Sequence, residues 1–177
     1  EETDETYQDL TIPPSEPWKN LIRLKKEKEV VGIYISAHPL DDFTHEMEHF
    51  TNISLAQLGD LDRLINRELN IGGIVNEVEH LESRNGKAWA RFMVEDFSDQ
   101  YEFRIFGEDY LKYRHFLVVN QFIRIRTMIR PGWTNKETGK VGAPRIQYLS
   151  FEMLQNTVEK NSKKLTIQLD IHKLKSE

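Results

Sequence analysis

The chain has 177 residues, of which 38% are hydrophobic and 30% are charged, enough for one principal core with a smaller appendage. The absence of cysteine excludes disulfides and thiolate metal sites, and no apolar run approaches the roughly 20 residues of a membrane span. The net charge of -5 argues against a strongly basic nucleic-acid-binding protein. No secretory signal is visible, so we expect a cytoplasmic protein without membrane contact.

The chain opens on a stretch that is typical of a linker rather than of a folded element. Residues 1–17 are acidic and then proline-rich, and they lack the apolar periodicity of a helix or strand. The acidic start without Met suggests that this sequence was cut from a longer chain.

Residues 18–66 are predicted to be mainly helical. Apolar residues recur at helical spacing, and Pro17 suits the first turn of a helix. The expected elements are a helix from Trp18 to Ile35, a second helix from Pro39 to Phe50, and a short element from Leu55 to Ile65.

Residues 67–155 predict an α+β fold, a five-stranded Greek-key barrel of the OB type. Asn85-Gly86 between two apolar runs is a strong hairpin signal, since both turn positions tolerate positive φ, and Gly72-Gly73 suggests a bulge or bend. The predicted strands are Leu69–Leu81, Ala88–Glu95, Gln100–Phe106, Gln121–Ile129 and Arg145–Leu154, with a helix at Gly107–Val119. In that helix, Tyr110, Leu111, Phe116 and Leu117 are expected to face the core.

The last residues, 156–177, turn polar, but Leu165, Ile167, Leu169 and Ile171 alternate as in a strand. A single strand at the end of the chain has no obvious partner. We therefore expect it to begin a truncated C-terminal domain.

The barrel segment carries cations and aromatic rings in the pattern of single-strand binders, which neutralise phosphate and stack bases. Although the whole chain is acidic, Leu69–Gln155 has a local charge of about +1. The surface used by such barrels is formed by strands two and three with the loops joining strands one to two and four to five. The candidate nucleic-acid-binding residues are Arg84, Lys87, Trp89, Arg91, Tyr101, Arg130, Trp133, Lys136, Lys140 and Arg145. Ala90, Phe92 and Val94 are expected to face the core instead.

His45-Glu46-Met47-Glu48-His49 matches the zinc-protease motif H-E-x-x-H. The helix phase argues against a metal centre, because Met47 belongs to the apolar stripe and both histidines lie roughly opposite it. A solvated helical face is the favoured interpretation, so we expect neither catalytic residues nor a metal site.

The run Glu29–Phe43, EVVGIYISAHPLDDF, resembles a signature of the bacterial replicative DNA polymerase III alpha subunit, E-x-x-G-x-Y-x-S/T-G-H-P-L. Ala37 replaces the usual glycine of that signature. In the turn after strand two, Asp99 stands where the family often has glycine, and we expect it to tolerate the left-handed conformation. Further matches are Gly73-Ile74-Val75, Asn85-Gly86-Lys87, Val94-Glu95-Asp96 and Glu102–Phe106.

The resemblance implies a fragment from the C-terminal part of that subunit. The polymerase palm and the phosphoesterase domain would lie upstream, so the fragment would be non-catalytic and need no cofactor, whereas the intact polymerase would use Mg²⁺. The implied partners are single-stranded template DNA, other domains of the alpha subunit, and the sliding clamp and clamp-loader tau subunit through neighbouring regions. The alternative is a protein-docking module of the replisome with little DNA affinity.

Overall fold

A computed structural model describes residues 16–134 and 138–161, which divide between Pro39 and Leu40 into two compact units. In the first unit, helix α1 spans Asn20–Val31. The prediction that it continues to Ile35 is wrong. Gly32 adopts the left-handed conformation (φ 89°) and its N–H donates to the Lys28 carbonyl at 2.8 Å, which ends the helix. None of the helices in the described ranges has the length and apolar character of a membrane span.

The second unit is built on a five-stranded antiparallel sheet in the order β3-β2-β1-β4-β5. The predicted α+β fold with OB-like strand order is confirmed, and each strand end lies within one residue of its prediction. The strands are β1 (Glu68–Glu82), β2 (Ala88–Glu95), β3 (Gln100–Phe106), β4 (Phe122–Arg130) and β5 (Arg145–Met153). The helices are α2 (Thr44–Phe50), α3 (Gly107–Tyr113) and α4 (Thr157–Asn161).

Within the described part of the chain, the OB-type sheet is not closed into a continuous barrel by backbone pairing. Among the described residues no backbone ladder joins the two edge strands, β3 and β5. The buried Tyr148 of β5 joins them instead, because its hydroxyl donates to the Arg104 carbonyl of β3 at 3.0 Å.

Strand β1 serves both halves of the sheet. It pairs with β4 from Glu68 to Ile74 and with β2 from Ile74 to Glu82. The register shift of β1 lies between Val75 and Glu77 and not at Gly72-Gly73, where a bulge or bend is predicted from the sequence. The glycines permit close packing instead: a Cβ on Gly73 would lie 2.5 Å from the Glu95 carbonyl oxygen.

The two turns that flank β2 use different devices. The predicted Asn85-Gly86 hairpin is confirmed, but among its residues only Gly86 has positive φ, at 71°. The Gly86 N–H donates to the Ser83 carbonyl at 2.9 Å, so the turn is completed by a glycine bulge. The second turn does not require a left-handed Asp99, which has no positive φ. It is held by the Asp96 carboxylate.

The core fills the inner face of the sheet and is closed by α3. Tyr110 and Leu117 are buried as predicted, whereas Leu111 is 62% exposed and was wrongly expected to face inward. Tyr113, three residues after Tyr110 and therefore on the same helical face, is buried in its place. Its hydroxyl donates to the Leu149 carbonyl at 2.8 Å.

Residues 40–66 wrap around the start of β1. Short 3₁₀ turns at Asp41–Phe43, Leu55–Gly59 and Leu61–Leu64 accompany α2. The Asn52 N–H donates to the Asn70 carbonyl at 3.0 Å, and its side chain accepts from the Asn70 N–H at 2.7 Å.

The strand predicted around Leu165–Ile171 lies outside the described residues.

Candidate nucleic-acid interface

The outer face of β2 carries two of the predicted binding residues. Trp89 and Arg91 point away from the core, while Ala90, Phe92 and Val94 are at most 1% exposed and form its inner face. This alternation is the one predicted from the sequence, and it follows from the two-residue period of a strand.

An aromatic pair forms one end of this outer face. Trp89 stacks on Phe106 of β3 with ring centroids 5.1 Å apart and planes inclined by 17°, and Phe106 is 57% exposed. Phe106 is not among the residues predicted from the sequence. It could have been found from the short turn after β2, because a pairing of Glu95 with Gln100 places Trp89 opposite Phe106.

Tyr101 does not belong to the same surface. It contacts Phe103 edge to face at 4.8 Å and packs against the core, and burial raises the pKa of its hydroxyl. Tyr101 is among the residues predicted to stack bases, but it lies with Phe103 and Ile105 on the inner face of β3, away from Trp89.

The β1–β2 hairpin borders the aromatic pair. Arg84 and Lys87 are exposed and have no acidic partner in the described part of the chain. With Trp89 and Phe106 they line an open groove of about 700 Å³, and Glu82 and Ser83 complete its wall. The groove thus combines two unpaired cations with an exposed ring.

The connection between β4 and β5 is an arm rather than an irregular loop. A bridge pairs Thr134 with Val141, and the Gly142 N–H donates to the Trp133 carbonyl at 2.9 Å. Gly132 allows the two legs to approach, because a Cβ there would overlap the Gly142 carbonyl. The structure describes the arm except for residues 135–137, so the candidate Lys136 lies outside the described residues.

Trp133 is the aromatic residue in the described part of the arm, and it is 75% exposed. The Arg145 guanidinium lies 4.1 Å over its centroid, a cation–π contact that supports one face of the indole. Lys140, seven residues later in the same arm, is exposed. Arg130 has a neutral partner, because its Nε donates to Gln147 Oε1 at 2.8 Å. The arm therefore presents positive charge beside an aromatic surface.

The arginines in the middle of the sheet face are engaged by acids. Arg91 donates from Nε and Nη2 to Glu79 at 2.9 and 2.8 Å, and its Nη1 lies 3.9 Å from Glu102. This pairing lowers the pKa of the Glu79 carboxyl and raises the pKa of Arg91. Arg104 donates to Glu102 at 2.7 Å. Arg91 is thus on the predicted face but already paired.

The H-E-x-x-H motif occupies the solvent side of α2, as the helix phase predicts. The exposed His45 and His49 rings stack at 4.3 Å, and His49 Nδ1 lies 3.0 Å from the His45 carbonyl. In the described ranges no three His, Cys, Asp or Glu side chains come together as a metal-binding group. Met47 lies beside Gly72 on the opposite side of the helix.

Comparison with known proteins bears on this arrangement. The chain is similar to DNA polymerase III alpha subunits: it is 28% identical over 100 residues to that of Mycobacterium tuberculosis, covering 56% of this chain and 8% of the relative. The Borreliella burgdorferi subunit is 31% identical over the same length, with the same coverage. The Vibrio cholerae subunit is 22% identical over 166 residues, covering 88% of this chain and 14% of the relative.

No protein-family model matches the chain. Among solved structures, RecG bound to a three-way DNA junction is 18% identical, covers 74% of this chain and 17% of that one, and has a TM-score of 0.34, which is too low to support an argument. This chain spans only 8% to 14% of the length of the three alpha subunits compared above. The resemblance indicated by the sequence motifs is therefore confirmed: the chain matches a segment of DNA polymerase III alpha subunits.

Proposed function

We propose that this chain is a non-catalytic module of a DNA polymerase III alpha subunit that binds the single-stranded template during chromosomal replication. The observation that carries the proposal is the placement of cations that have no acidic partner among the described residues. They lie in the two connections, β1–β2 and β4–β5, that OB-type proteins use for single strands, and each connection adjoins an exposed aromatic ring.

The chemistry of the two sites fits a strand of any sequence. A ring face stacks on every base, and a cation attracts every phosphate, so neither interaction requires a particular base. At the hairpin these groups are Phe106 with Arg84 and Lys87; on the arm they are Trp133 with Lys140 and Arg145.

The proposal places this chain in the bacterial cytoplasm beside the other domains of the alpha subunit. The sliding clamp and the clamp-loader tau subunit would be reached through neighbouring regions, and Mg²⁺ would serve the polymerase centre elsewhere in the subunit. We assign no catalytic residue and no cofactor to this chain.

The second candidate is a docking module that contacts other replisome proteins and has little DNA affinity. The overall charge of -5 favours it, as does the acid pairing of Arg91 on the sheet face. In the first unit, Trp18 and Ile22 are 61% and 48% exposed, which adds apolar surface for a protein contact.

Fluorescence anisotropy of a labelled oligothymidine distinguishes the two. We expect saturable binding that is tight at about 0.01 M salt and weaker at about 0.15 M, since bound phosphates release counterions. Trp133→Ala should weaken binding about 5- to 100-fold through the lost stack, while Trp133→Phe retains most of it.

Lys140→Ala should reduce the salt slope by about 0.7, the value for one phosphate contact on a single strand. Lys160→Ala removes an equal charge from α4 and is the matched control. If the wild-type chain does not bind even at low salt, the template-binding proposal is wrong and the docking function is favoured.

A further inference from the structure

A chain of ion pairs, in the order Glu79–Arg91–Glu102–Arg104, crosses the outer face of three strands. Glu79 of β1, Arg91 of β2 and Arg104 of β3 are register partners of one another in turn. Glu102, two residues before Arg104 on the same face, approaches both arginines, at 3.9 Å from Arg91 and 2.7 Å from Arg104. All four side chains are partly exposed, so solvent and a ligand can reach them.

The acids occupy the donors that a phosphate would use. Arg91 presents Nε and Nη2 to the Glu79 carboxylate, and Arg104 presents the same two nitrogens to Glu102. A guanidinium binds phosphate through such paired donors. A phosphate can use this paired edge of either arginine only if it displaces the carboxylate, and the carboxylate also neutralises the charge that would attract a phosphate to the remaining Nη donors.

The two connections differ from this face. Arg84 and Lys87 have no acidic partner among the described residues, and Arg145 faces the Trp133 ring rather than an acid. The surface between them is neutralised, and Glu77 lies along the same face beside Glu79 and Glu102. Positive potential is therefore concentrated at the connections.

We propose that Glu79 and Glu102 limit the affinity of the sheet face for single-stranded nucleic acid by holding Arg91 and Arg104 away from phosphate. A bound strand would then be held by its phosphates at the β1–β2 hairpin and the β4–β5 arm. Its middle would cross β2 and β3 without a phosphate contact to Arg91 or Arg104. This inference rests on the proposed function.

The test is the double variant Glu79→Gln/Glu102→Gln, measured by oligothymidine anisotropy across a salt series. The amide replaces each carboxylate with little change of shape and removes the negative charge that neutralises both arginines, leaving a weaker neutral acceptor that a phosphate can displace. We expect binding about five-fold tighter per freed arginine at about 0.1 M salt, or about 25-fold for the pair, and a slope steeper by about 1.4.

The matched control is Asp60→Asn/Glu68→Gln. It makes the same change in net charge and also frees two exposed arginines, Arg63 and Arg126, which lie away from the β2–β3 face. A general charge effect would act equally in both pairs. Urea unfolding of all variants separates a binding effect from a folding effect, because exposed pairs contribute only about 0–1 kcal/mol.

The inference is overturned if the Glu79/Glu102 pair and the control pair shift affinity and slope by the same amount. Failure of the proposed function gives a different result. If neither the wild type nor the double variant binds, both ideas fall. If only the double variant binds, the acids do suppress binding, and it is the template-binding role of the natural chain that is refuted.

Discussion

Replacement of Asp96 should lower the free energy of unfolding, because its carboxylate holds two separate parts of the chain together. Its side chain is 5% exposed, and Oδ1 accepts from the Ser98 N–H at 2.7 Å and from the Asp99 N–H at 2.9 Å. Oδ2 accepts from the N–H of the buried Leu55 at 2.7 Å. One carboxylate thus closes the β2–β3 turn and attaches the 3₁₀ turn Leu55–Gly59 to it.

The cost of Asp96→Ala can be estimated from these bonds. The Leu55 N–H would be left buried without a partner, at about 1–3 kcal/mol, whereas each of the two turn N–H groups loses about 0.5–1.5 kcal/mol and can turn to water. We expect a loss of about 3 kcal/mol in the free energy of unfolding. Asp96→Asn keeps an oxygen for the turn and should cost about half as much, through the weakened Leu55 contact.

Urea unfolding followed by tryptophan fluorescence measures this difference. Asp99→Ala is the control, because Asp99 is exposed and its carboxylate accepts only from the adjacent Gln100 N–H at 2.8 Å, so a change within about 0.5 kcal/mol is expected. The reasoning is refuted if Asp96→Ala and Asp99→Ala unfold within about 1 kcal/mol of each other.

Two further predictions concern packing and pH. Gly73→Ala should cost about 1–3 kcal/mol of unfolding free energy because its Cβ would lie 2.5 Å from the Glu95 carbonyl oxygen, whereas Gly59→Ala, which has open space, should be neutral or slightly stabilising; equal urea midpoints would contradict this. Burial raises the pKa of Tyr148, so its contribution to stability is complete below the ordinary tyrosine value of about 10 and is lost at higher pH. Between about pH 8 and pH 11, Tyr148→Phe should therefore lose less stability than the wild type, although it starts about 1 kcal/mol lower for want of the bond to Arg104; parallel losses would show that Tyr148 is not the responsible group.

The strands were predictable because local signals bound them. Asn85-Gly86 and the Asp96–Asp99 turn delimit β2 on both sides, and the two-residue period of a strand places Ala90, Phe92 and Val94 on one face of β2. Gly32, a glycine that follows a last turn containing Lys28, is also a recognisable helix end, although the predicted helix extends past it to Ile35.

Other features depended on contacts between distant parts of the chain. The hydrogen bond from the Tyr148 hydroxyl to the Arg104 carbonyl, which joins the two edge strands, is one such contact and is not revealed by periodicity. Within the candidate site, Trp89 and the free cations of the hairpin were predicted, whereas Phe106 required the β2–β3 register. The neutralisation of Arg91 required both that register and the rotamers of Glu79 and Glu102.

The division of β1 between two partners has a consequence for how the protein folds. From Ile74 onward β1 pairs with β2, which follows it after a short hairpin, so these contacts close small loops. Before Ile74 it pairs with β4. The pairing of Glu68 with Met128 closes a much longer loop, which contains β2, β3 and α3. Closing that longer loop costs more chain entropy, so we expect the β1–β2–β3 meander to form first and to serve as the template on which β4 and β5 are added. One continuous strand would thus acquire its hydrogen bonds in two stages, beginning at its C-terminal end.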